Sequence, residues 1–312
     1  MHGTRPPKPA QPAPTTGPIV NGLSVDVEDW FQVGAFEHVI ARSDWSGLEC
    51  RVESNVARIL ELFAEANVKA TFFTLGWVAE RYPKLVRRVA EAGHELGSHG
   101  YDHARVFTLD PKGFAEDIRR ARGLIEDAGG QAVTGYRAPS FSIDHRTPWA
   151  FSELAEQGYL YSSSVAPLAH DHYGWPTAPR FAFRPLPDAG LVELPVTTAI
   201  LGGRRFAAGG GGFFRVLPYS FSHWAISQVN RREARPAMFY FHPWEIDPEQ
   251  PRVAQAPLRS RLRHYTGLRR MEHRLAKLLS DFRWGRVDAI AQIERLRADD
   301  FHVTPAAKEI AA

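Results

Sequence analysis

The sequence predicts an α/β protein built on a parallel sheet that is either open or closed into a barrel. Short apolar segments of strand type alternate with amphipathic segments of helical spacing along much of the 312-residue chain. This βαβα order favours parallel strands, because the helices then serve as the crossovers between them. Hydrophobic residues make up 44% of the chain and aromatic residues 12%, which is enough for a substantial core.

The predicted elements follow this alternation from the first strand onward. A strand is predicted over 22–27, and apolar residues at helical spacing predict a helix over 53–66. The segment 69–75 (KATFFTL) is rich in β-branched and aromatic residues and predicts a buried strand. Similar patterns predict helices over 78–92, 111–128 and 148–157, and strands over 94–97, 133–137, 159–165, 191–197 and 237–242.

The pattern loosens between residues 166 and 236, where proline and glycine are frequent. An unbroken glycine run spans 209–212, and no Gly-Lys-Ser/Thr follows it, which excludes a phosphate-binding loop of the usual kind. A mobile loop that faces a substrate and a plain glycine hinge are the two interpretations of this run. Farther along, residues 255–284 predict one long helix or two short ones that close the chain.

Charge and composition narrow the class of protein. No run of about 18 apolar residues is present, so no transmembrane helix is predicted. Cys50 is the only cysteine, which excludes an intrachain disulfide and fits a reducing compartment. The net charge is +3, and basic residues are concentrated between 259 and 286. They form either a solvated helix face or a surface that contacts an anionic polymer or an acidic membrane. No nucleic-acid-binding module accompanies them. They are Arg259, Arg261, Arg263, Arg269, Arg270, Arg274, Lys277, Arg283 and Arg286.

Polar side chains follow several of the predicted strands. Because the carboxyl ends of parallel strands meet at one edge of a sheet, we expect these side chains to converge. Three acids end the first strand, and two histidines four positions apart follow the strand at 94–97. An arginine and a third histidine end two later strands. The residues are Asp26, Glu28 and Asp29, His99 and His103, Arg137, and His242.

This combination of residue types is typical of a hydrolytic metal site. Two histidines, one carboxylate and a water complete the coordination of a zinc-like ion, which activates the water and polarises a carbonyl. A second acid can then accept the proton of the water, and a separate histidine can protonate the leaving group. An arginine beside the second acid would keep that acid ionised and oriented.

Four segments resemble the motifs of the polysaccharide deacetylase family (NodB-homology, carbohydrate esterase family 4). SHGYDH at 98–103 is similar in spacing to the family's His-(Ser/Thr)-x-x-His metal motif, and SVDVEDW at 24–30 takes the place of its first acidic motif. TGYRAPS at 134–140 resembles the Arg-x-Pro motif, and FYFHPWEI at 239–246 resembles the late histidine motif. The tail that follows looks like the extension of exosortase-linked deacetylases from exopolysaccharide loci.

The resemblance implies a distorted (β/α) barrel of about seven units with a helical C-terminal extension. It also implies a divalent metal, usually zinc, and removal of acetyl from N-acetylhexosamine units of a polysaccharide. By position in the motifs, His99 and His103 bind the metal and Asp26 is the base. Arg137 orients that base, and His242 protonates the departing amine.

The first motif departs from the family's usual pair of adjacent acids, because Val27 separates Asp26 from Glu28. Strand alternation places Asp26 and Glu28 on the same side of the strand. We therefore assign Asp26 as the base and Glu28 as the metal ligand, with Asp29 as the alternative ligand. If the chain has already turned at Val27, Glu28 becomes the base and Asp29 the ligand.

Other departures and neighbours of these motifs bear on the substrate. Residues 161–164 (YSSS) carry only hydroxyls where many relatives have an acid. Phe141 or Trp30 is expected to form an apolar wall against the acetyl methyl, and a backbone N–H near Ser140 is expected to stabilise the oxyanion. A sugar ring stacked on Trp244, beside the late histidine, is a further expectation. The predicted substrate-binding residues are Trp30, Pro139, Ser140, Phe141 and Trp244.

The predicted organisation has three parts: a proline-rich disordered leader over 1–18, a catalytic domain over 19–250 and a helical extension over 251–312. The expected partner is an N-acetylated polysaccharide or oligosaccharide, and other exopolysaccharide-biosynthesis proteins or a membrane surface are further candidates. No signal peptide is visible, so a cytoplasmic location, with membrane association as a further option, is predicted. Two alternatives stay open: a hydrolase of small cyclic amides or imides on the same fold, and a catalytically silent carbohydrate-binding protein.

Overall fold

The computed structural model describes residues 18–169 and 173–301. The leader predicted over 1–18 lies outside the described residues except for its last position, and so does the end of the predicted extension, 302–312. Among the described helices, none has both the length and the hydropathy that crossing a bilayer requires.

The described strands form one large sheet and one separate hairpin. The large sheet contains β1 (Val20–Val27), β2 (Thr71–Thr74), β3 (Glu95–Ser98), β4 (Gly135–Tyr136), β5 (Tyr161–Ser162), β6 (Phe183–Arg184), β7 (Val192–Glu193), β10 (Met238–Phe241), β11 (Arg283–Gly285) and β12 (Asp299–Asp300), and the hairpin is formed by β8 (Thr198–Leu201) and β9 (Arg204–Ala207).

Helices connect most of these strands. The α-helices are α1 (Val52–Glu65), α2 (Gly76–Arg81), α3 (Pro83–Glu91), α4 (Pro111–Gly129), α5 (Ala150–Glu156), α6 (Gly211–Val216), α7 (Tyr219–Arg232), α8 (Leu258–Tyr265), α9 (Leu268–Asp281) and α10 (Val287–Glu294). Short 3-10 helices span Arg42–Gly47, Val106–Thr108, Pro139–Phe141 and Pro243–Ile246.

The large sheet is a curled half-barrel of mostly parallel strands. Seven of the described strands run parallel in the order β10-β1-β2-β3-β4-β5-β7. Beyond β7, the strand β6 is antiparallel, and β12 pairs with β6. The predicted distorted barrel of about seven units is therefore confirmed.

Local sequence explains where the well-predicted helices begin and end. In α4, Pro111 occupies the first turn, where its missing N–H costs nothing, and the Asp110 carboxylate accepts the N–H of Gly113 at 2.7 Å. The helix ends at Gly130, whose φ of 70° is the left-handed conformation that favours glycine. In α1, one face is buried against the core through Val56, Ile59 and the residues one turn away.

The structure corrects one predicted helix, adds elements that were not predicted, and decides between two predicted alternatives. The helix predicted over 78–92 is split into α2 and α3, because Pro83 removes a backbone donor and disfavours the helical conformation at Tyr82. The loosely patterned region 166–236 contains α6, α7 and the β8–β9 hairpin, none of which was predicted. The segment 255–284 forms two helices, separated at Gly267, where φ is 79°.

The C-terminal extension contributes to the sheet as well as packing on it. It is helical, as predicted, but β11 pairs with the beginning of β1, and β12 pairs with β6. Between these strands, α10 packs Val287 and Ile290 against Phe73, Tyr161 and Met238 in one buried apolar cluster. Strands of two or three residues are too short for an alternation pattern to reveal, which explains why they were missed.

Candidate active site

A cleft of about 430 Å³ opens at the carboxyl ends of the parallel strands. Five of the residues predicted for catalysis or metal binding line it: Asp26, Glu28, His99, His103 and His242. Asp26 lies at the end of β1 and Glu28 directly after it, the two histidines follow β3, and His242 follows β10. The predicted convergence of polar residues at strand ends is therefore observed.

Glu28, His99 and His103 form a compact cluster of potential metal ligands. One ligand atom from each residue lies within 4.8 Å of the other two. Glu28 Oε2 is 2.9 Å from His103 Nε2, yet this buried oxygen has no hydrogen-bond partner. A buried carboxylate oxygen without a donor is costly. A cation between the carboxylate and the imidazoles would satisfy it, so the residues present fit a divalent metal.

Contacts behind the cluster orient two of its members. His99 Nδ1 is 2.8 Å from the carbonyl oxygen of Arg137, which places a proton on Nδ1 and leaves the Nε2 lone pair free for a cation. The indole Nε1–H of Trp244 donates to Glu28 Oε1 at 3.2 Å. Two imidazoles and one carboxylate supported in this way are the donor set of hydrolytic zinc sites.

The protonation states of the cluster also suit ligands. Burial, the largest single effect on Glu28, raises its pKa, but His103, His242 and His99 together lower the pKa to about 2. Glu28 is therefore ionised at neutral pH. Burial lowers the pKa of His99 to about 4, so its imidazole is neutral.

The two histidines lie on a loop that follows β3. His103 has a φ of 60°, a left-handed conformation that few non-glycine residues adopt. The backbone N–H of Tyr101 donates to the Asp117 carboxylate of α4, at 3.2 Å to the nearer oxygen. The first two N–H groups of α2 donate to carbonyls of the same loop at 2.9 Å. Two helices thus hold the loop in this conformation.

Asp29, the alternative ligand, is directed away from the cluster. Its carboxylate accepts the N–H groups of Trp30 at 2.9 Å, Arg51 at 2.8 Å and Val52 at 3.0 Å, and so closes the beginning of α1. The geometry therefore favours Glu28 over Asp29 as the ligand. It also disfavours the arrangement with Glu28 as base, which needs Asp29 on the metal. The ligand roles themselves stay predictions.

Asp26 and Arg137 form the predicted pair. Arg137 Nη1 is 2.7 Å from Asp26 Oδ1, and the guanidinium is only 1% exposed. Its remaining donors reach the Ser24 hydroxyl at 2.7 Å and both the carbonyl and the hydroxyl of Ser163 at 2.9 Å. A buried guanidinium held by four hydrogen bonds keeps the adjacent carboxylate in one orientation.

The neighbouring strand carries the acid that is absent from residues 161–164. Ser162 of β5 lies opposite Glu193 of β7 in the parallel register. Glu193 Oε1 accepts the backbone N–H groups of Ser164 and Val165, each at 2.8 Å. Burial is the main reason why the pKa of Glu193 rises to about 7. The serines themselves support the Arg-x-Pro segment, since Ser164 Oγ accepts the N–H of Ala138 at 2.9 Å.

His242 lies between two carboxylates. Its Nδ1 is 3.3 Å from Glu245 Oε2, and its Nε2 is 3.6 Å from Glu28 Oε1. Burial, the largest single effect, lowers the pKa of His242, but Glu28 and Glu245 outweigh it and raise the pKa to about 9. An imidazole that carries a proton at neutral pH is suited to donating one.

The structure divides the predicted substrate-binding residues. Ser140 and Phe141 line the cleft, and both have positive φ values, of 55° and 50°. Trp30 does not line the cleft, because its indole donates to the Glu49 carbonyl at 2.9 Å and packs edge-on against Phe31. Pro139 is likewise buried beneath the cleft surface.

Trp244 lines the cleft but has no free face for a sugar. Its side chain is 6% exposed, and the imidazoles of His242 and His264 stack on it at centroid distances of 5.2 and 4.1 Å. The expectation that Trp244 stacks on a sugar ring is therefore wrong. Its indole instead orients Glu28.

Several cleft residues were not predicted from the sequence. They are Val33, Ala35, Arg105, Tyr173, Arg215, Tyr240, Glu245 and His264. Glu245 had a detectable signal, since an acid three residues after a position followed by proline is the pattern of a capped turn. Arg215 and His264 had none, because Arg215 lies 24 residues before the last motif segment and His264 lies 18 residues after it.

Comparison with known proteins gives two family matches. Residues 46–159 match the model for polysaccharide deacetylase, and residues 163–292 match a domain of unknown function (DUF3473). Residues 46–159 therefore carry the sequence signature of the polysaccharide deacetylase family. Asp26 and Glu28 precede the first match, and His242 lies within the second.

Two curated relatives illustrate how far the match reaches. The chain is 31% identical over 113 residues to a peptidoglycan deacetylase of Helicobacter pylori, which is 36% of this chain and 38% of that protein. It is also 31% identical over 120 residues to a chitin deacetylase of Pestalotiopsis sp, covering 37% of this chain and 39% of that one. The chain therefore matches less than half the length of these relatives.

Solved structures resemble the fold over nearly the whole chain. A Mycobacterium smegmatis protein described as a polysaccharide deacetylase has a TM-score of 0.57 at 21% identity, covering 92% of this chain and 95% of that one. An allantoinase named PuuE has a TM-score of 0.58 at 16% identity, covering 94% and 95%. At these identities the likeness concerns the fold alone.

Proposed function

We propose that this protein is a metal-dependent deacetylase that removes acetyl groups from N-acetylhexosamine units of a polysaccharide in exopolysaccharide biosynthesis. The observation that carries the proposal is that one cleft is faced by the Glu28–His99–His103 cluster, by Asp26 and by His242. The matched relatives are named for peptidoglycan and chitin, which supports the same class of substrate.

The cluster would hold a divalent metal, and zinc is the ion that two imidazoles and one carboxylate favour. Such an ion, when bound, lowers the pKa of a water and polarises the acetamide carbonyl.

The other cleft residues move protons and fix orientation. Asp26 accepts a proton from the attacking water, while Arg137 holds that carboxylate in one orientation. A backbone N–H near Ser140 is the donor for the oxyanion. His242 gives a proton to the sugar nitrogen as the C–N bond breaks, so the products are acetate and a free amine.

The shape of the cleft favours a chain-like substrate. A second cavity of about 580 Å³ adjoins the cleft, and both are lined by Gly34, His103 and Arg105, among other residues. The surface on one side of the predicted metal ligands therefore continues as a groove. A glycan can extend along this groove, whereas a small cyclic amide would leave it unused.

Hydrolysis of two substrates by the metal-loaded protein tests the proposal. We expect acetate and free amine from N-acetylated chitooligosaccharide, and no ring opening of hydantoin or succinimide. Ring opening without acetate release would instead identify a cyclic amide hydrolase. Glycan binding by calorimetry without acetate release would identify a silent carbohydrate-binding protein.

The finer expectations from the sequence stay predictions. These are the exosortase-linked subgroup, the cytoplasmic location, the contact of the late basic residues with a membrane or glycan, and the division into a catalytic domain over 19–250 and an extension over 251–312.

A further inference from the structure

A buried ion pair lies directly behind His242. Arg215 Nε is 2.7 Å from Glu245 Oε1, and the two residues are 2% and 1% exposed. Burying two charges costs desolvation energy that a pair of this kind does not always recover, so stability alone is a weak reason for it. The contacts that Glu245 and Arg215 make with their neighbours indicate a second role for the ion pair.

On one side, Glu245 binds the imidazole and the backbone of His242. Glu245 Oε2 accepts the backbone N–H of His242 at 3.0 Å and lies 3.3 Å from Nδ1 of its ring. A carboxylate at Nδ1 keeps a proton on that nitrogen and limits rotation of the ring. The opposite nitrogen, Nε2, is then the one that faces the cleft.

On the other side, Arg215 binds the end of α8. Its Nη1 donates to the carbonyls of His264 at 2.9 Å and Thr266 at 2.5 Å, and its Nη2 donates to that of Arg263 at 3.4 Å. The last carbonyls of a helix lack partners within the helix. Arg215 donates hydrogen bonds to these carbonyls, and the carbonyls in turn fix the guanidinium. Because Glu245 pairs with this guanidinium, the end of α8 sets the position of Glu245.

The glycine run at 209–212 makes room for this arrangement. A Cβ atom on Gly211 would collide with the Glu245 carboxylate, and one on Gly210 would press against the Tyr240 ring. The backbone at the beginning of α6 therefore approaches the carboxylate more closely than any residue with a side chain allows. This is a steric reason for the run, different from both interpretations that the sequence suggested.

We propose that Arg215 and Glu245 are positioning residues for His242, and that the carbonyls at the end of α8 hold them. The region matched by the domain of unknown function would then orient the proton donor of the deacetylase. This inference rests on the proposed function for the role of the proton. The contacts that carry it are independent of metal content.

The expected kinetic effect is specific. Glu245→Gln should lower kcat for N-acetylated chitooligosaccharide by about 10- to 100-fold, as losses of supporting contacts around a reactive group commonly do. KM should stay within about twofold, because neither residue is needed to bind the glycan. Hydrolysis of 4-nitrophenyl acetate should fall less than about threefold, because a nitrophenolate departs without a proton.

A double-mutant cycle separates positioning from a structural role. In a His242→Asn background, Glu245→Gln should cause no further loss, because the group that it positions is absent. Equal losses in both backgrounds, or equal losses for the amide and the ester, would overturn the proposal. Arg215→Met with Glu245→Gln removes both buried charges at once. If Glu245→Gln fails to fold, this double variant replaces it in the kinetic test, and the same loss of kcat, about 10- to 100-fold, is expected.

The matched control is Glu233→Gln. Glu233 pairs with Arg180 at 2.5 Å in the same half of the chain, and neither residue lines the cleft. Its amide and ester rates should equal those of the unchanged protein.

An NMR measurement tests the contact without activity. The ¹⁵N shifts of the His242 ring in the zinc-loaded protein should show a proton on Nδ1 that Glu245→Gln disturbs and Glu233→Gln does not. If the unchanged protein releases no acetate but shows this signature, the proposed function fails and the positioning contact stands. If Nδ1 carries no proton held by Glu245, the positioning proposal itself fails.

Discussion

The two halves of the cleft are built in different ways. The first half, Asp26 to Arg137, lies at the ends of parallel strands of one sheet, and each reactive side chain is part of a short motif at a strand end. The second half, Arg215 to His264, is a stack of rings backed by a buried ion pair. These residues come from three separate segments: α6, residues 242–245, and α8. Strand ends supply the reactive groups, and the later segments decide how those groups point.

The largest effect should come from the metal cluster in the first half. His99→Ala removes one of the three predicted protein ligands, so bound zinc should fall to a trace and deacetylation by more than about 100-fold. Elemental analysis after dialysis measures the zinc. His145→Ala, an exposed histidine, is the control and should keep full metal content. Unchanged zinc in His99→Ala would remove it from the ligand set.

The next effect should come from the predicted base. Asp26→Asn keeps the shape and the contact with Arg137 but cannot accept a proton, so turnover should fall by about 10²- to 10⁴-fold while zinc stays bound. Single-turnover kinetics and zinc content measured on one sample check this. Near-normal turnover would mean that another group is the base, and the assignment of Asp26 would be wrong.

A smaller effect should appear where the two halves meet. Trp244→Phe keeps a ring between the two imidazoles but removes the donor to Glu28 Oε1, so metal affinity should fall by about 10- to 100-fold. A competition titration with a zinc chelator measures it. Trp284→Phe removes an equally buried indole donor far from the cleft and should leave the affinity unchanged. Equal affinity in both variants would mean that the second half does not support the metal site.

The smallest effect concerns stability below the first half of the cleft, at Glu95 of β3. Burial, the largest cause, together with Asp288 raises the pKa of Glu95 to about 7. Glu95 bonds Tyr161 of β5 and the backbone N–H of Asp288 in α10. Between pH 4.5 and 7 the unfolded chain releases this proton and the folded chain keeps it. The free energy of unfolding should therefore fall as pH rises, by up to about 3 kcal/mol.

Urea unfolding at pH 4.5 and pH 7 measures this contribution. Glu95→Gln cannot titrate, so its stability should decline less over this range than that of the unchanged protein. Glu61→Gln, on an exposed helix surface, should follow the unchanged protein. An identical decline in Glu95→Gln would mean that Glu95 is ionised in the folded state.

The first half of the cleft was predictable because its reactive residues lie in short motifs of neighbouring positions. Parallel strands put their carboxyl ends together, so Asp26, His99 and Arg137 could be expected to meet before any coordinates were known. The choice between Glu28 and Asp29 was not predictable in the same way. It depends on three backbone N–H groups at 30, 51 and 52 that draw Asp29 away.

The sequence by itself determined the alternation of strands and helices and the set of reactive residues, because both are local patterns in which near neighbours carry the information. Only the tertiary structure decided that Trp244 serves Glu28, that Trp30 is buried elsewhere, and that Arg215 and Glu245 stand behind His242. Burial and hydrogen-bond partners arise between residues tens to hundreds of positions apart. No periodicity or short motif along the chain encodes which of them will touch.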